Sequence, residues 1–364
     1  MKIFLVCNSL GGGGAERVHV NLANGFAQRG HEVYLIADVN QPASYPVDEQ
    51  VHVLPLCPQS TNKLKKWGGA VSMLRKNIKK YKPDVVIGNM HLCSIICRLA
   101  ALGTGVPVVL TIHHALESDT YQIGSLIKKL DRYAPKCFTR TVVLTTADKE
   151  YMESVYGNRV VVIPNPLSFT PCESVPKKDN VILAAGRLGD WRYKGWDVLF
   201  EAWGKIASRH KDWKLFLAGT GPEESIRVIK DFIKQNDVED SVELLGFRND
   251  MKDLYSSSSI FVLSSRSEGL PMVVIEAMSQ GCACVATNYK GRTCDIITSD
   301  NEGLLSEPED VDAIAANLEK LIVNESLRRS IQGQSIERSK YFLIDHVISI
   351  WESLLKNIIN KSNK

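Results

Sequence analysis

Short apolar runs alternate with amphipathic stretches along most of this chain. Because a short apolar run is typical of a buried strand and a period of 3.6 residues is typical of a helix, the alternation predicts parallel sheets with helices on both faces. Strands are predicted at 3–6, 33–37, 51–54, 84–88, 106–113, 141–145, 160–164, 181–185, 214–218, 242–245, 260–263 and 283–286. Helices are predicted near 15–29, 68–81, 91–102, 122–134, 147–155, 196–208, 223–236, 250–256 and 272–280.

The alternation stops once, at residues 164–179, which contain four prolines and no periodicity. Such a segment is typical of an interdomain linker. A chain of 364 residues also has room for two domains of ordinary size. We therefore predict an α/β fold of two Rossmann-like, doubly wound parallel-sheet domains, at residues 1–168 and 169–342.

A last amphipathic helix is predicted at residues 343–364. A stripe this wide must be buried, by packing across the domain seam or back on the first domain, and we assign the helix to the first domain. The stripe consists of Ile344, Val347, Ile348, Trp351, Leu354, Leu355, Ile358 and Ile359.

Composition and cysteine usage indicate a cytoplasmic protein. Apolar residues make up 44% of the chain, and the longest apolar runs fall short of the ~18 residues that a membrane span needs. The apolar residues 1–7 are followed at once by Asn8 and Ser9, which favours a buried strand over a signal peptide. None of the nine cysteines forms a Cys-x-x-Cys motif, and Cys93/Cys97 and Cys282/Cys284 lack a second Cys or His pair that would complete a zinc site.

Positive charge is concentrated in the first half. Residues 51–140 carry 14 Lys and Arg against 4 Asp and Glu, although the net charge of the whole chain is only +3. The surplus is explained either by solvated helix faces or by a basic surface that meets anionic lipid or an anionic acceptor.

The loops that follow strands carry the candidate chemistry, because ligands of open α/β sheets bind at the carboxyl ends of the strands. Gly11 to Gly14 lie between a strand and a helix, where backbone approaches a ligand closely and helix amides attract an anion. No Gly-x-Gly-x-x-Gly fits here, since residues 16 and 17 are Glu and Arg. Asp38, at the end of the second strand, keeps an NAD-dependent oxidoreductase open as an alternative.

Two further loops lie in the second half. Gly186-Arg187 and Lys194 suit a diphosphate clamp, in which Arg192 could replace either cation. The segment from Glu268 to Glu276 contains a Gly-Leu-Pro turn that opens a helix. Its amides suit a phosphate, while its two carboxylates suit the hydroxyls of a ribose and a hexose.

The segment 264–281 (SSRSEGLPMVVIEAMSQG) resembles the signature of the family-four retaining glycosyltransferases. That family has the GT-B fold, in which two Rossmann-like domains face a central cleft. The resemblance covers essentially the whole chain, because the glycine loop, the cationic pair, the strand end Ile163-Pro164-Asn165 and the long last helix also match. It implies a retaining glycosyltransferase.

The resemblance also implies roles for individual residues. Glu276 is expected to hold the ribose hydroxyls and Glu268 to contact the transferred sugar. His113, closing the strand 106–113, is expected near the donor sugar, with His114 as its rival. The catalytic set is then His113, Glu268, Arg187 and Lys194, and the donor-binding set is Gly13, Gly14, Arg187, Lys194, Glu268, Gly269, Leu270, Pro271 and Glu276.

Two departures from the family pattern limit the transfer of roles. Seven positions separate Arg187 from Lys194, slightly more than is usual, so Lys194 and Arg192 are both candidates for the second cation. Residues 288–295 (NYKGRTCD) replace a stretch that is often richer in Pro and Gly, so donor contacts there are not carried over.

We expect neither a metal nor any other cofactor. The string Asp310-Val311-Asp312 has the form of a metal-binding Asp-x-Asp, but it opens a helix at 313–322, where Asp310 is a natural cap. The resemblance implies retention by a same-face route in which a leaving phosphate oxygen helps to deprotonate the acceptor.

The expected donor is a nucleotide sugar that carries a hexose or N-acetylhexosamine. The expected acceptor is a glycan or a lipid-linked glycan, and the expected process is cell-surface polysaccharide biosynthesis. Likeness of the Glu-Gly-Leu-Pro-Met segment favours UDP, and GDP-mannose stays open. Trp67 among Lys63, Lys65 and Lys66 suggests contact with the inner face of an anionic membrane; no nucleic-acid partner is expected. A GT-B sugar-nucleotide epimerase, the oxidoreductase and a non-enzymatic sugar-binding module are the alternatives.

Overall fold

The computed structural model describes residues 1–11, 14–39, 43–57, 63–115 and 134–362 of the chain. These residues form two compact units. Unit 1 contains the described residues up to Pro166 together with the last helix from Ile344, and unit 2 runs from Leu167 to Leu343.

Unit 1 is built on a seven-stranded parallel sheet. Its strands are β1 (Lys2–Ser9), β2 (Glu32–Asp38), β3 (His52–Pro55), β4 (Val85–Asn89), β5 (Val108–Thr111), β6 (Arg140–Val143) and β7 (Val160–Val162), in the order β3-β2-β1-β4-β5-β6-β7. Its helices up to Pro166 are α1 (Gly14–Gln28), α2 (Lys63–Tyr81), α3 (Met90–Ala100) and α4 (Thr146–Tyr156), with 3₁₀ turns at Ala134–Cys137 and Gly157–Arg159.

Unit 2 is built on a six-stranded parallel sheet. Its strands are β8 (Asp179–Ala185), β9 (Lys214–Ala218), β10 (Val242–Gly246), β11 (Ser258–Leu263), β12 (Ala283–Thr287) and β13 (Leu304–Ser306), in the order β10-β9-β8-β11-β12-β13. Its helices are α5 (Trp191–Lys194), α6 (Trp196–Gly204), α7 (Glu223–Gln235), α8 (Met251–Ser257), α9 (Met272–Ser279), α10 (Val311–Val323) and α11 (Glu325–Ser339). Short 3₁₀ turns lie at Leu188–Asp190, Ala207–Arg209, Tyr289–Gly291, Thr293–Asp295 and Lys340–Phe342.

Both sheets have the Rossmann order, which confirms the predicted fold class. In each sheet the strand order reverses once, between β1 and β4 in unit 1 and between β8 and β11 in unit 2. The loops that follow these adjacent strands open a crevice at the carboxyl edge, where ligands of this fold class bind. The candidate functional residues of each unit are therefore expected at these two edges.

Alternate residues of the strands bury opposite faces of the unit 1 sheet. Ile3 and Leu5 of β1 belong to the core that includes Phe26 of α1, whereas Phe4 and Val6 belong to the core on the other face. All four β1 side chains are fully buried, so both faces of the central strand are covered. This explains why the strands read as continuous apolar runs rather than as alternating ones.

The last helix, α12 (Ile344–Ser362), packs on α1 within unit 1. Val347, Ile348, Trp351 and Leu355 are at most 3% exposed and join the core that contains β1. The polar edge of the contact is closed by Glu352, whose Oε1 lies 2.8 Å from Nε2 of His31. The amphipathic stripe is thus buried against the first unit.

Residues 164–179 form neither helix nor strand up to Lys178, as the prolines predict, yet part of the segment is anchored on unit 2. The Leu167 amide donates to the Phe342 carbonyl at 2.7 Å, and the Cys172 amide donates to the Ser279 carbonyl at 2.9 Å. The helix predicted near 122–134 lies outside the described residues. In the part of the chain that is described, no helix combines the length and the apolar character that a membrane crossing requires.

Candidate functional site

Two loops of unit 2 meet because β8 and β11 are hydrogen-bonded neighbours. Ile182 of β8 pairs with Ile260 of β11, and both strands run in the same direction. The residues after β8, from Gly186, and those after β11, from Ser264, therefore leave the sheet at the same edge. The two loops that the sequence singled out in the second half are brought together by the fold.

Lys194 and Glu268 form an ion pair at this edge. The Lys194 Nζ donates to Glu268 Oε1 at 2.7 Å, and each side chain is 14% exposed. Ser265 Oγ donates to the same carboxylate oxygen at 2.7 Å. Because charge-assisted hydrogen bonds are strong, the positions of the ammonium and the carboxylate are well defined.

Backbone contacts hold the Lys194 segment against the loop that carries Glu268. Ser264 Oγ donates to the Lys194 carbonyl at 3.0 Å, and the Arg266 amide donates to the Tyr193 carbonyl at 2.9 Å. Gly195 has a φ of 64°, and a Cβ placed on it would lie 2.1 Å from the Ser264 carbonyl oxygen. Glycine is thus required at position 195 for this close approach.

Arg266, which the sequence analysis did not single out, crosslinks the same two segments. Its Nη1 and Nη2 each donate to Asp197 at 2.8 Å, and its Nε donates to Glu309 at 2.8 Å. Its Nη1 also donates to the Arg192 carbonyl at 2.7 Å. Hydrogen bonds to Asp197 are the main cause that raises the pKa of Arg266 above its usual range. The sequence signal for Arg266 was its position inside the signature segment, but the residues that it contacts are distant in sequence.

The two other candidate cations are more open to solvent than Lys194. Arg187 is paired with Asp190 at 2.9 Å, and its side chain is 73% exposed. Arg192 is exposed. The turn Leu188–Asp190 and helix α5 occupy the positions between Arg187 and Lys194, which accounts for the long spacing. Of these three residues, Lys194 is the one that the fold pairs with Glu268.

Glu276 lies inside helix α9, which begins directly after Pro271. Proline suits this place because its fixed φ is compatible with entry into a helix, and Pro271 has a φ of −72°. Glu276 and Leu270 are each 7% exposed. A carboxylate so deeply buried is expected to be hydrogen-bonded, and Glu276 makes polar contacts in the structure. The predicted donor residues Glu268, Gly269, Leu270 and Pro271 immediately precede the helix.

A second glycine loop, after β9, was missed by the sequence analysis. A Cβ on Gly219 would lie 1.9 Å from the Gly186 carbonyl oxygen, and one on Gly221 would lie 2.4 Å from the Gly189 amide nitrogen. The Gly219–Gly221 loop therefore packs directly on the loop that carries Arg187. The sequence signal for this loop was the string Gly-Thr-Gly directly after a strand.

His113 of unit 1 lies two residues beyond the end of its strand, since β5 ends at Thr111 rather than at 113 as predicted. Thr111 Oγ1 donates to the Gly88 carbonyl at 3.1 Å. That hydroxyl hydrogen is therefore engaged, so Thr111 accepts from His113 Nε2, which lies 3.1 Å away. Burial is the main cause that lowers the pKa of His113 to about 3, and neighbouring His19 adds to the shift. The imidazole is neutral at physiological pH.

His19 is a second buried imidazole that the sequence analysis missed. Its ring centroid is 5.6 Å from that of His113, whereas His114 contacts His91 instead, at 5.7 Å. Burial lowers the pKa of His19 to about 4. The signal was a histidine on the apolar face of the helix that follows the glycine loop. Gly14 begins this helix, and Gly13 lies outside the described residues.

The backbone is strained at the carboxyl edge of β4, directly before His91. Met90, which opens α3, has a φ of 59°, a left-handed conformation that non-glycine residues seldom adopt. Asn89 before it is 2% exposed. Because strained residues cluster at ligand sites, Asn89 and Met90 join the candidate residues of unit 1.

The two aspartates of the Asp-x-Asp string both have structural partners. Asp310 Oδ1 accepts from the Ala313 amide at 2.9 Å and caps α10, as predicted, and Asp312 is paired with Lys205 at 2.5 Å. Among the described residues, no group of three or more His, Cys, Asp or Glu side chains has an arrangement that would hold a metal ion.

Comparison with known proteins assigns the two halves to glycosyltransferase models. Residues 12–169 match the model of glycosyltransferase family 4, and residues 171–338 match that of glycosyl transferases group 1. The chain is 30% identical over 355 residues to an uncharacterized glycosyltransferase of Haemophilus influenzae, covering 97% of this chain and 99% of the relative.

Two further proteins define the wider group. The chain is 27% identical over 372 residues to the UDP-Gal:alpha-D-GlcNAc-diphosphoundecaprenol alpha-1,3-galactosyltransferase of Escherichia coli, covering 92% of this chain and 95% of that protein. Anabaena HepE, solved in complex with UDP, has the same fold, with a TM-score of 0.80, 16% identity and coverage of 98% of this chain and 100% of HepE. The epimerase and oxidoreductase alternatives find no support among these proteins. The chain therefore belongs to the group 1 and family 4 glycosyltransferases, as the Glu268–Glu276 signature indicated.

Proposed function

We propose that unit 2 binds a UDP-sugar at the loops after β8 and β11, and that the enzyme transfers its sugar, with retention of configuration, to a glycan carried on a lipid diphosphate. The Lys194–Glu268 ion pair carries this proposal, because it places a cation and a hydroxyl-binding carboxylate together at the edge where Rossmann-like sheets bind ligands. The E. coli relative supports the substrates, since its name specifies UDP-galactose and a diphosphoundecaprenol-linked sugar.

The candidate residues of unit 2 have distinct roles in the proposed reaction. Departure of the nucleotide develops negative charge on the diphosphate, and preorganised donors stabilise such charge. Lys194, Arg187 and the Gly269 and Leu270 amides supply these donors. Glu276, buried on α9, accepts from the ribose hydroxyls, and Glu268 accepts from a hydroxyl of the transferred sugar.

The proposed route is same-face substitution without a covalent intermediate. The acceptor hydroxyl attacks the anomeric carbon as the bond to the diphosphate breaks, and a leaving phosphate oxygen takes the hydroxyl proton. His113, neutral because of its burial, contributes a hydrogen bond near the donor sugar and no charge. Lys194 and Arg187 neutralise the leaving group, so the proposed route needs no metal.

The acceptor is proposed to reach the enzyme from an anionic membrane surface. The surplus of Lys and Arg in residues 51–140 supports peripheral contact, since each basic residue near such a surface contributes about 1 kcal/mol. Binding to phosphatidylglycerol vesicles at low salt is expected. Equal binding to phosphatidylcholine vesicles, or none to either, would remove this part of the proposal.

A donor screen that measures released nucleotide tests the central part. We expect UDP release that depends on an added lipid-diphosphate sugar, and a Glu276→Ala variant with a donor KM raised at least tenfold, because a charge-assisted hydrogen bond contributes roughly 1.5–3 kcal/mol. Glu223→Ala, which removes an exposed glutamate from α7, is the matched control and is expected to keep the wild-type KM. Unchanged donor binding by the Glu276 variant would refute the ribose role.

Retention and metal independence are tested on the same reaction. The anomeric coupling constant of the product is expected to match that of the donor, and EDTA is expected to leave the rate nearly unaltered. An inverted product would exclude the same-face route. Loss of activity in EDTA that Mn²⁺ restores would instead assign a metal to the site.

A further inference from the structure

A polar cavity of unit 1 lies at the amino ends of β5 and β6. Val108, which opens β5, and Arg140, which opens β6, both line it. His113 follows the carboxyl end of β5, so the cavity lies at the opposite edge of the sheet from the candidate residues of unit 1. Its volume is about 590 Å³, enough for a group of phosphate or diphosphate size.

Four cationic side chains from four different elements line this cavity. They are Arg98 at the end of α3, Lys136 in the turn Ala134–Cys137, Arg140 in β6 and Arg159 before β7. Among the described residues that line the cavity, none is an aspartate or a glutamate. A concave surface lined by one sign of charge concentrates the electrostatic potential and attracts the opposite charge.

The three guanidinium groups are oriented by main-chain carbonyls. Arg98 Nε donates to the Cys137 carbonyl at 2.7 Å, Arg140 Nη1 donates to the Thr139 carbonyl at 2.8 Å, and Arg159 Nη1 donates to the Lys136 carbonyl at 3.0 Å. A guanidinium has five N–H donors, and each of these contacts uses one. Neutral carbonyls do not compensate the positive charges, and these contacts limit the motion of the side chains.

Two glycines in the lining leave open space at the rim of the cavity. Gly103 and Gly105, which line it, have φ values of 71° and 77°, and a Cβ on either would have no heavy atom within 4 Å. The 103–105 turn therefore leaves space at the rim rather than filling it. Leu99 and Leu102, each 47% exposed, are the sequence neighbours of the cavity residues Arg98, Ala101 and Gly103.

We propose that this cavity is an anion site that binds a phosphate or diphosphate group, separate from the donor site of unit 2. Planar guanidinium forks match phosphate oxygens, and four cations from four elements can contact one anion from several directions. Either a lipid headgroup or a free phosphorylated compound supplies this chemistry. The proposal does not depend on the identity of the sugar donor.

The thiol of Cys137 gives a local measurement of occupancy. Cys137 is exposed and lines the cavity, so a bound anion shields its sulfur from the alkylating reagent. The rate of Cys137 alkylation by iodoacetamide is followed by peptide mass spectrometry at low ionic strength. Pyrophosphate, phosphatidylglycerol vesicles and phosphatidylcholine vesicles are compared on the intact chain. Because Cys137 lines the cavity, its alkylation rate reports on occupancy of the cavity.

We expect pyrophosphate or phosphatidylglycerol to slow Cys137 alkylation at least threefold, and phosphatidylcholine to leave its rate unchanged. In a Lys136→Ala/Arg159→Ala variant the ratio of rates with and without anion is expected to approach one. Lys76→Ala/Lys79→Ala removes the same charge from exposed positions of α2 and is expected to keep the wild-type ratio. Slowing by pyrophosphate identifies a soluble ligand, and slowing by phosphatidylglycerol alone identifies a headgroup. No slowing by either, or equal slowing in the two variants, would overturn the site.

Discussion

Lys194 and Arg192 are two residues apart on one short helix but have different surroundings. The Lys194 ammonium contacts Glu268 and is largely buried, whereas the Arg192 side chain is exposed and its carbonyl accepts from Arg266. The sequence left both as candidates because Arg192 lies inside the long spacing between Arg187 and Lys194. Only the contact with Glu268 distinguishes them.

Replacing Lys194 is therefore expected to impair the reaction far more than replacing Arg192. Lys194→Ala should lower kcat/KM for the donor about 100-fold, the effect typical of losing one preorganised donor to developing charge. Arg192→Ala should stay within about threefold of the wild type. Steady-state kinetics on both variants decide the point, and a larger loss for Arg192→Ala would reverse the assignment.

Buried His19 makes the stability of unit 1 depend on pH. Its pKa is about 4 in the folded state, below the usual value of 6.5, so the unfolded chain binds the proton more readily. Stability is therefore retained above pH 6.5 and lost as the pH falls towards 4. His19 alone accounts for about 2 kcal/mol of destabilisation between pH 7 and pH 5.

A His19→Gln variant is expected to lose that part of the pH dependence. The measurement is hydrogen exchange of the β1 and β4 amides at pH 5 and pH 7, corrected for intrinsic exchange rates. His346→Gln, on the last helix, is the control and should retain the wild-type difference. A His19→Gln difference as large as that of the wild type would show that His19 is not the group responsible.

At the scale of elements, periodicity predicted most helices and strands but missed the four-residue α5, as well as α11 and β13. The buried face of α11 is largely polar, with Arg328, Gln332, Ser335 and Ser339 among its buried residues. An apolar stripe is thus absent where the helix packs. Strand β13 has only three residues, too few for a pattern.

The candidate site was predicted as separate loops, and its internal contacts were not. Glu268, Lys194 and Glu276 were found because each lies in a recognisable string that comes after a strand. Arg266 and His19 were missed because their partners come from other elements. Arg266 contacts Asp197 of α6, and His19 contacts His113 after β5. Strand adjacency, which no local pattern encodes, brings these groups together.

Substitution of Gly195 tests how the Lys194 segment is joined to the loop that carries Glu268. A Cβ on Gly195 would lie 2.1 Å from the Ser264 carbonyl oxygen, so Gly195→Ala must displace the Glu268 loop, and its left-handed φ adds about 1 kcal/mol or more. We expect a donor KM raised at least tenfold. Gly333→Ala, inside α11 with no heavy atom within 4 Å of the added Cβ, should stabilise the chain by about 0.5–1 kcal/mol. Unchanged kinetics of Gly195→Ala would contradict the described packing.

At the scale of the whole molecule, the last helix belongs to unit 1 although it follows unit 2 in the chain. Trp351 is 3% exposed in the core shared by α1 and β1. Alternation along the sequence predicted two parallel-sheet domains, and the wide apolar stripe predicted that this helix is buried. Only the structure identifies α1 as the surface that covers this stripe, because nothing in the stripe itself indicates its partner.

Trp351→Ala is expected to destabilise unit 1 by about 3–5 kcal/mol through the cavity it leaves. Lys356→Ala, exposed on the same helix, should change stability by less than about 0.5 kcal/mol. Hydrogen exchange of α1 and β1 measures both changes, while exchange in β8 and β11 should stay as in the wild type. Equal losses in the two sheets would show that α12 does not act on unit 1 alone.

The central claim is that the loops after β8 and β11 hold the nucleotide of the donor. A crystal structure of the protein with UDP tests it most directly. We predict Glu276 carboxylate oxygens within about 3 Å of the ribose hydroxyls and the diphosphate within hydrogen-bond distance of Lys194 and the Gly269 or Leu270 amide. A nucleotide bound elsewhere, or a ribose beyond the reach of Glu276, would contradict the account.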